Sequence, residues 1–253
     1  MTIIPAYYPR FHCIADRCRH NCCIGWEIDI DPDTYALYKT VRGDFAKRLH
    51  DGIVHGEQPC FRLDAHERCA FLNERGLCDI IVTLGEDALC DICTDHPRFR
   101  TYLGDDLRLG LGLCCEAACR LILDSPVAFC NADTGETVAI DTTVPPLSDT
   151  RTPAEWAVLY RSLERLDPAW DSYLDRLAAC DAFITEQDTV WERLTAYFMF
   201  RHASPRFAAH AAAVIVTLAN DTDELCEIAR LYSAEIEYSD ENLQTILNKT
   251  AED

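Results

Sequence analysis

No run of eighteen apolar residues occurs in this sequence, so it offers no membrane-spanning helix. Its opening residues, "MTIIPAYYPRF", lack a basic stretch followed by an apolar one. No secretory signal is read there, and the cytoplasm is the expected location. Basic residues are in short supply, with 23 Lys and Arg against 43 Asp and Glu and a formal net charge of -20. That field repels phosphate backbones, which argues against a nucleic-acid partner. It attracts basic protein surfaces, although its simplest meaning is an acidic, solvated exterior. No internal repeat stands out. Also missing is a complete glycine-rich turn between a strand and a helix for a nucleotide cofactor. "RLGLGL" has two glycines at the right spacing but not the third, and it is expected to be a strand edge.

Cysteine, by contrast, is abundant, with 15 in 253 residues. A reducing compartment disfavours structural disulfides, and an odd count cannot pair completely within the chain. Four thiols crowd "FHCIADRCRHNCCIGW", at Cys13, Cys18, Cys22 and Cys23. Cys60 follows, then Cys69 and Cys78 in "CAFLNERGLCDI", then Cys90 and Cys93 in "LCDICTDHPRF". Cys114, Cys115 and Cys119 come from "LCCEAACRLIL". On a helix, C-x-x-C sets two thiols about one turn apart, within reach of one ion or cluster. Thiolate is the natural ligand of zinc and of iron–sulfur clusters, because soft sulfur suits both. The density of thiols beside Gly, Asp and Asn turns favours a metal or cluster over buried, inert cysteines. Either centre needs only four ligands, so zinc and iron–sulfur both stay open. Adjacent side chains diverge, so Cys22 and Cys23 are expected to divide, one on the metal and one packed. His12, His20 and His96 flank the cysteines and are read as surface or supporting groups.

The cysteines are concentrated early, which divides the chain into a cysteine-rich unit over 1–125, a hairpin and linker over 126–150, and a helical unit over 151–253. The fold class is therefore mainly α with a few short strands, a cysteine-rich N-terminal unit preceding an α-helical array. "NADTGETVAID" reads as a hairpin turning at Asp133-Thr134-Gly135, and "TTVPPLSDTRTP" as a linker. "PAEWAVLYRSLERL" sets Trp156, Leu159, Leu163 and Leu166 on one helical face, with Pro153 in the first turn. "PAWDSYLDRLAACDAFI" continues with Trp170, Leu174, Leu177 and Phe183, and "VWERLTAYFMFRHA", "PRFAAHAAAVIVTLA" and "DELCEIARLYSAEI" read as three more helices. Ser239 is the expected N-cap of "SDENLQTILNKT", and Cys180 and Cys226 are expected to serve as small apolar residues on these helices. Nearer the start, "DPDTYALYKTVRGDFAKRL" reads as one helix opened by Asp31-Pro32, while "CFRL" and "CAFL" read as strands joined by a "DAHER" turn.

With these motifs laid out, the sequence resembles the flagellin lysine-N-methylase family. The resemblance is carried in order by "YYPRFHCIADRCRHNCCIGWEIDID", "CAFLNERGLCDI", "LGEDALCDICTDHPRF" and "GLGLCCEAACRLIL", with "YFMFRH" as a later, shorter feature. A looser likeness, over Cys13 to Cys23, Cys69 to Cys78 and Cys93 to Pro97, is to small zinc- or iron-chelating cysteine-cluster proteins. The first resemblance implies methyl transfer from S-adenosylmethionine to lysine amines of flagellin, by a protein holding an iron–sulfur cluster, expected as [4Fe–4S], with zinc as the alternative. It implies Cys13, Cys18, Cys22, Cys23, Cys69, Cys78, Cys90, Cys93 and Cys115 as metal ligands, with Cys60, Cys114 and Cys119 outside the pattern. The chain is shorter than is usual for that family. Tyr7, Tyr8, Glu27, Asp29 and Asp95 are among many groups able to accept a proton, and nothing selects one as catalytic. Trp26 and Arg98 lie beside the cysteine blocks and suit either a pocket wall or packing. A non-enzymatic metal protein and a redox sensor switching at Cys90-x-x-Cys93 are the other readings.

Overall fold

A computed structural model describes residues 1–147 and 151–252. In chain order the elements are β1 (Thr2–Pro5), α1 (Pro32–Thr40), α2 (Asp44–Asp51), β2 (Ile53–Val54), β3 (Cys60–Phe61), α3 (Asp79–Leu84) and α4 (Asp91–Asp95). Next come β4 (Arg98–Leu103), β5 (Asp106–Leu111), α5 (Glu116–Asp124), β6 (Phe129–Asn131) and β7 (Thr137–Val138). Six helices complete the described residues: α6 (Pro153–Arg161), α7 (Trp170–Ala178), α8 (Thr189–His202), α9 (Pro205–Leu218), α10 (Thr222–Tyr232) and α11 (Asp240–Ala251). Helices thus dominate, with one five-stranded mixed sheet and a two-stranded ribbon. Among the described residues no helix is long and apolar enough to cross a membrane.

Two compact units result, Cys13–His96 and Met1–His12 together with Pro97–Asp253. The division therefore does not fall at residue 125. The reason is β1, which pairs in parallel with β5 and antiparallel with β6, carrying the first residues into the unit that holds the helices.

In the smaller unit, Asp31 caps α1, its carboxylate accepting from the Thr34 amide at 2.8 Å, with Pro32 in the first turn. The expected single helix over 31–49 is two helices. Gly43 interrupts it at φ 88°, a conformation that a residue with a Cβ adopts only under strain. Ile28, Ile30, Tyr38, Leu49, Ile53, Phe61, Phe71 and Ile80 form the core with Cys69 and Cys90. "CFRL" pairs as expected at Cys60–Phe61, whereas "CAFL" contributes only isolated bridges, Leu63 to Cys69 and Leu72 to Cys78. Between them Asp64 accepts from the His66 and Arg68 amides, which makes the expected turn.

In the larger unit the sheet order is β4-β5-β1-β6-β7. "RLGLGL" lies in β5 and the residues just after it, and β5 is an interior strand hydrogen-bonded to both β4 and β1. Gly110 faces Phe99 across the β4–β5 pair, and a Cβ at Gly110 would lie 2.3 Å from the Phe99 ring. Close approach of an aromatic ring therefore accounts for this glycine. The hairpin over 131–141 forms, β6 pairing with β7. In the linker "TTVPPLSDTRTP", residues 148–150 lie outside the described residues.

α6 opens with Pro153 and a capping box, Thr152 accepting from the Glu155 amide while the Glu155 carboxylate accepts from the Thr152 amide. It stops at Arg161, so Leu163 and Leu166 leave the expected face, and Leu166 is exposed. Buried Glu235 explains the stop, because its carboxylate collects the Leu166 and Asp167 amides and the Arg165 guanidinium. In α7, Trp170, Leu174 and Leu177 are fully buried, with Phe183 packing from beyond its end. α8 and α9 turn at Ala203, and α9 is buried on nearly every face, its run of alanines admitting close neighbours. α10 runs into a π-turn over Ser233–Glu237, and Ser239 caps α11 by accepting from the Asn242 amide. Cys226 is a buried residue of α10, while Cys180 lies just past α7 and is partly exposed. Each aromatic side chain buried in this core contributes roughly 2–3 kcal/mol through apolar burial.

Candidate metal centre

Four separate segments of the smaller unit deliver six thiols to one place. Cys23 interacts electrostatically with Cys22, Cys69 and Cys78, and Cys93 does so with Cys90, Cys23 and Cys78. Cys69 in turn senses Cys78 and Cys90. Cys22 and Cys23 sit on a turn whose geometry is fixed by Asn21, which accepts from the Cys23 amide at 2.9 Å and donates to the Gly76 carbonyl at 3.2 Å. Trp26 closes the same turn, donating from Nε1 to the Cys22 carbonyl at 2.7 Å, with its ring centroid 6.1 Å from that of His96. Cys78 is the N-cap of α3 and Cys90 the N-cap of α4, whose Asp91 amide is held at 3.0 Å by the carboxylate of Asp31.

Three of the thiols share one local construction. Backbone amides favour the thiolate at each: those of Phe71 and Leu72 at Cys69, of Ile80 and Ile81 at Cys78, and of Ile92 and Cys93 at Cys90. Each sulfur is thus cradled by the N–H groups two and three residues ahead. Such amides point partial positive charge at sulfur and favour the thiolate that a metal binds. Burial works the other way and pushes Cys69 up to about 11, Cys78 moving in the same direction. The remaining thiols pair. The Cys23 thiol donates to Cys22, lowering Cys22 and raising itself, and Cys93 does the same to Cys90. Of the adjacent pair, Cys22 is exposed while Cys23 is partly buried and packs against the core.

The donor set fits a thiophilic metal or cluster in its chemistry, since it consists of thiols with backbone amides directed at them. Among the described residues, however, no three His, Cys, Asp or Glu side chains stand at the mutual spacing of a closed coordination shell. Two further expected ligands, Cys13 and Cys18, have local partners. Cys13 Sγ accepts from the Ala15 amide at 3.4 Å, and Cys18 donates to the His20 carbonyl at 3.0 Å. Cys115 belongs to the larger unit, as N-cap of α5, with Cys114 and Cys119 as electrostatic neighbours. Cys60 is buried in the ribbon against Glu27. Arg98 lies in β4 with its guanidinium 5.5 Å from the Phe11 ring centre.

"YFMFRH" acquires a structural meaning in the larger unit. Tyr197 donates to Glu237 at 2.8 Å and accepts from the Leu113 amide at 3.3 Å, next to Cys114. Arg201 donates to Tyr197 at 2.8 Å and pairs with Glu237, which also meets His202 at 2.6 Å and Ser233 at 2.5 Å. Burial raises the Glu237 carboxyl, but Arg201, His202 and Ser233 outweigh it and hold it below its ordinary range. No periodicity marks Glu237, because its partners come from a segment 35 to 40 residues earlier.

Comparison with known proteins adds a lineage to this geometry. The chain is 30% identical over 134 residues to a flagellar biosynthetic protein FliU of Salmonella muenchen, a match covering 49% of the chain and 78% of that protein. The chain belongs to the flagellin lysine-N-methylase family. Lysine-N-methylases of Salmonella typhimurium and Salmonella choleraesuis are 32% and 31% identical to this family member over 134 residues. In each case the match covers 33% of the relative, so the chain spans about a third of the length of those methylases. No family model matches the chain, and no solved structure matches it.

Proposed function

We propose that this protein acts in protein-lysine methylation, transferring a methyl group from S-adenosylmethionine to lysine amines of flagellin, with a thiol-ligated iron–sulfur cluster as its resident centre. The observation that carries the reading is the amide cradle repeated at Cys69, Cys78 and Cys90 among six gathered thiols, in a chain related to lysine-N-methylases. Cys22, Cys23, Cys69, Cys78, Cys90 and Cys93 are the residues that would hold the cluster, four of them sufficing. When bound, such a cluster supplies one-electron or Lewis-acid chemistry at iron. The protein's own groups shield the thiols and orient them: Tyr38, buried and bonded to the Ala88 carbonyl at 2.7 Å, covers Cys90, and Asp31 ties α4 to α1. An attacking lysine must lose its proton first, which requires desolvation or a base. No base is assigned.

Anaerobic purification with iron, sulfide and zinc analysis, followed by incubation with flagellin and labelled S-adenosylmethionine, tests both parts. Iron with sulfide, and label on lysine that vanishes in Cys69→Ser, is the expected result. Absence of label from protein with an intact centre overturns the methylation reading and leaves a non-enzymatic metal protein. One observation favours that second reading, namely that the glycines of "RLGLGL" serve close packing, Gly110 against Phe99 and Gly112 against Tyr238 and Pro97.

A further inference from the structure

Within the smaller unit, α3 and α4 begin at Cys78 and Cys90, and the electrostatic proximity of Cys78 to Cys93 brings the two helices to the same thiols. α3 buries Ile80 in the core and pairs Asp79 with Arg48, while Ile81 and Val82 face solvent at 37% and 57% exposure. α4 packs Cys93 partly buried against the core and leaves Ile92 36% exposed. Scattered apolar side chains on a surface need no explanation, but three branched aliphatics on two adjoining helices beside a candidate centre do.

Charge on this stretch has one sign. No Lys or Arg occurs from Gly76 to Pro97, against Asp79, Glu86, Asp87, Asp91 and Asp95. Glu86 and Asp87 stand on the turn that joins α3 to α4 and, like Asp91, are exposed and form no ion pair among the described residues. Asp33 adds a further exposed carboxylate from α1, whose N-cap Asp31 accepts from the Asp91 amide at 3.0 Å. An apolar face bordered by unneutralised carboxylates repels a nucleic acid or an anionic membrane. A second copy of this chain would set the same carboxylates against each other. A protein segment with apolar side chains among lysines or arginines complements both features.

We propose that Ile81, Val82 and Ile92, bordered by Glu86, Asp87 and Asp91, form a docking face for a basic, apolar-rich segment of a partner protein. The partner's identity rests on the methylation reading, in which it is the substrate chain around the target lysine, held beside the thiols. The docking itself is measured without methyl transfer.

Fluorescence anisotropy of a labelled peptide alternating lysine with leucine, titrated with the full chain, provides the test. Binding is expected, weakened about tenfold by Val82→Asp and severalfold by Asp87→Lys, both at exposed positions. Circular dichroism establishes that the variants remain folded. A lysine–serine peptide and a glutamate–leucine peptide are expected to bind far less. Equal binding of the lysine–serine peptide overturns the apolar face, and equal binding of the glutamate–leucine peptide overturns its acidic border. No binding, or affinity unchanged in both variants, overturns the site, and a dimer broken by Val82→Asp in its place assigns the face to a second copy. Label on flagellin lysine at an unchanged rate in both variants overturns docking of the substrate and leaves the methylation reading intact. Peptide binding that the variants lose, with no label from the wild-type protein, overturns methylation and leaves the docking face standing.

Discussion

The two units solve the problem of stability by different means. Over Cys13–His96, two-residue strands and helices of nine residues or fewer enclose a small apolar core that includes Cys69 and Cys90 themselves. The larger unit buries Trp156, Tyr160, Trp170, Phe198, Phe200, Phe207 and Tyr232 among long helices, and its buried charges are paired, as at Glu235 and Glu237. A small core stabilises weakly, so units of this size commonly rely on metal or disulfide staples. On that ground the thiols are expected to carry in one unit the structural load that aromatic packing bears in the other.

The largest expected effect tests that assignment. Treatment with a chelator, or combining Cys69→Ser with Cys90→Ser, is expected to abolish hydrogen-exchange protection over residues 13–96 while α8 to α11 stay protected, if the proposed centre staples that unit. Equal loss in both units would break the distinction. Trp170→Ala strikes the other side. It empties a fully buried site and is expected to cost about 3–5 kcal/mol in denaturant unfolding, without changing metal content.

Acid should also separate the units, though less sharply. His210 is buried against Trp156, at 3.8 Å between ring centres, and burial pushes its pKa down to about 3. The unfolded chain takes up this proton near pH 6.5 while the folded one refuses it. Stability from this group is thus complete above pH 6.5 and is lost progressively as pH falls toward 3. Thermal unfolding of the larger unit followed from pH 7 to 4 should show that decline, and His210→Phe should flatten it. The smallest effect belongs to Thr152→Ala, which removes half of a capping box and is expected to cost about 1 kcal/mol, read as a modest shift in the denaturation midpoint of the larger unit.

Much of the helical half was legible in advance because its determinants are local. Pro153, Ser239 and the spacing of Trp170, Leu174 and Leu177 each act within one or two turns, and the helices form where that spacing puts them. Expectations failed where a distant group intervened. Glu235 ends α6 early by gathering amides almost seventy residues away, and Phe99 dictates the glycine in β5. The helix expected over 31–49 failed for a local reason that periodicity conceals, the backbone angle at Gly43.

For the candidate centre, the sequence by itself determined the donor type, the crowding of thiols, and a lineage shared with lysine-N-methylases, because cysteine chemistry and motif order are properties of the chain. Only the tertiary structure decided that Cys22 and Cys23 lie near Cys69, Cys78, Cys90 and Cys93, and that three of these sulfurs sense amides two and three residues ahead. It also decided that residues 1–12 leave the cysteine-rich segment for the helical unit. The reason is physical. Which thiols meet, and which strand completes a sheet, depends on loop closures and long-range pairing that no local pattern encodes.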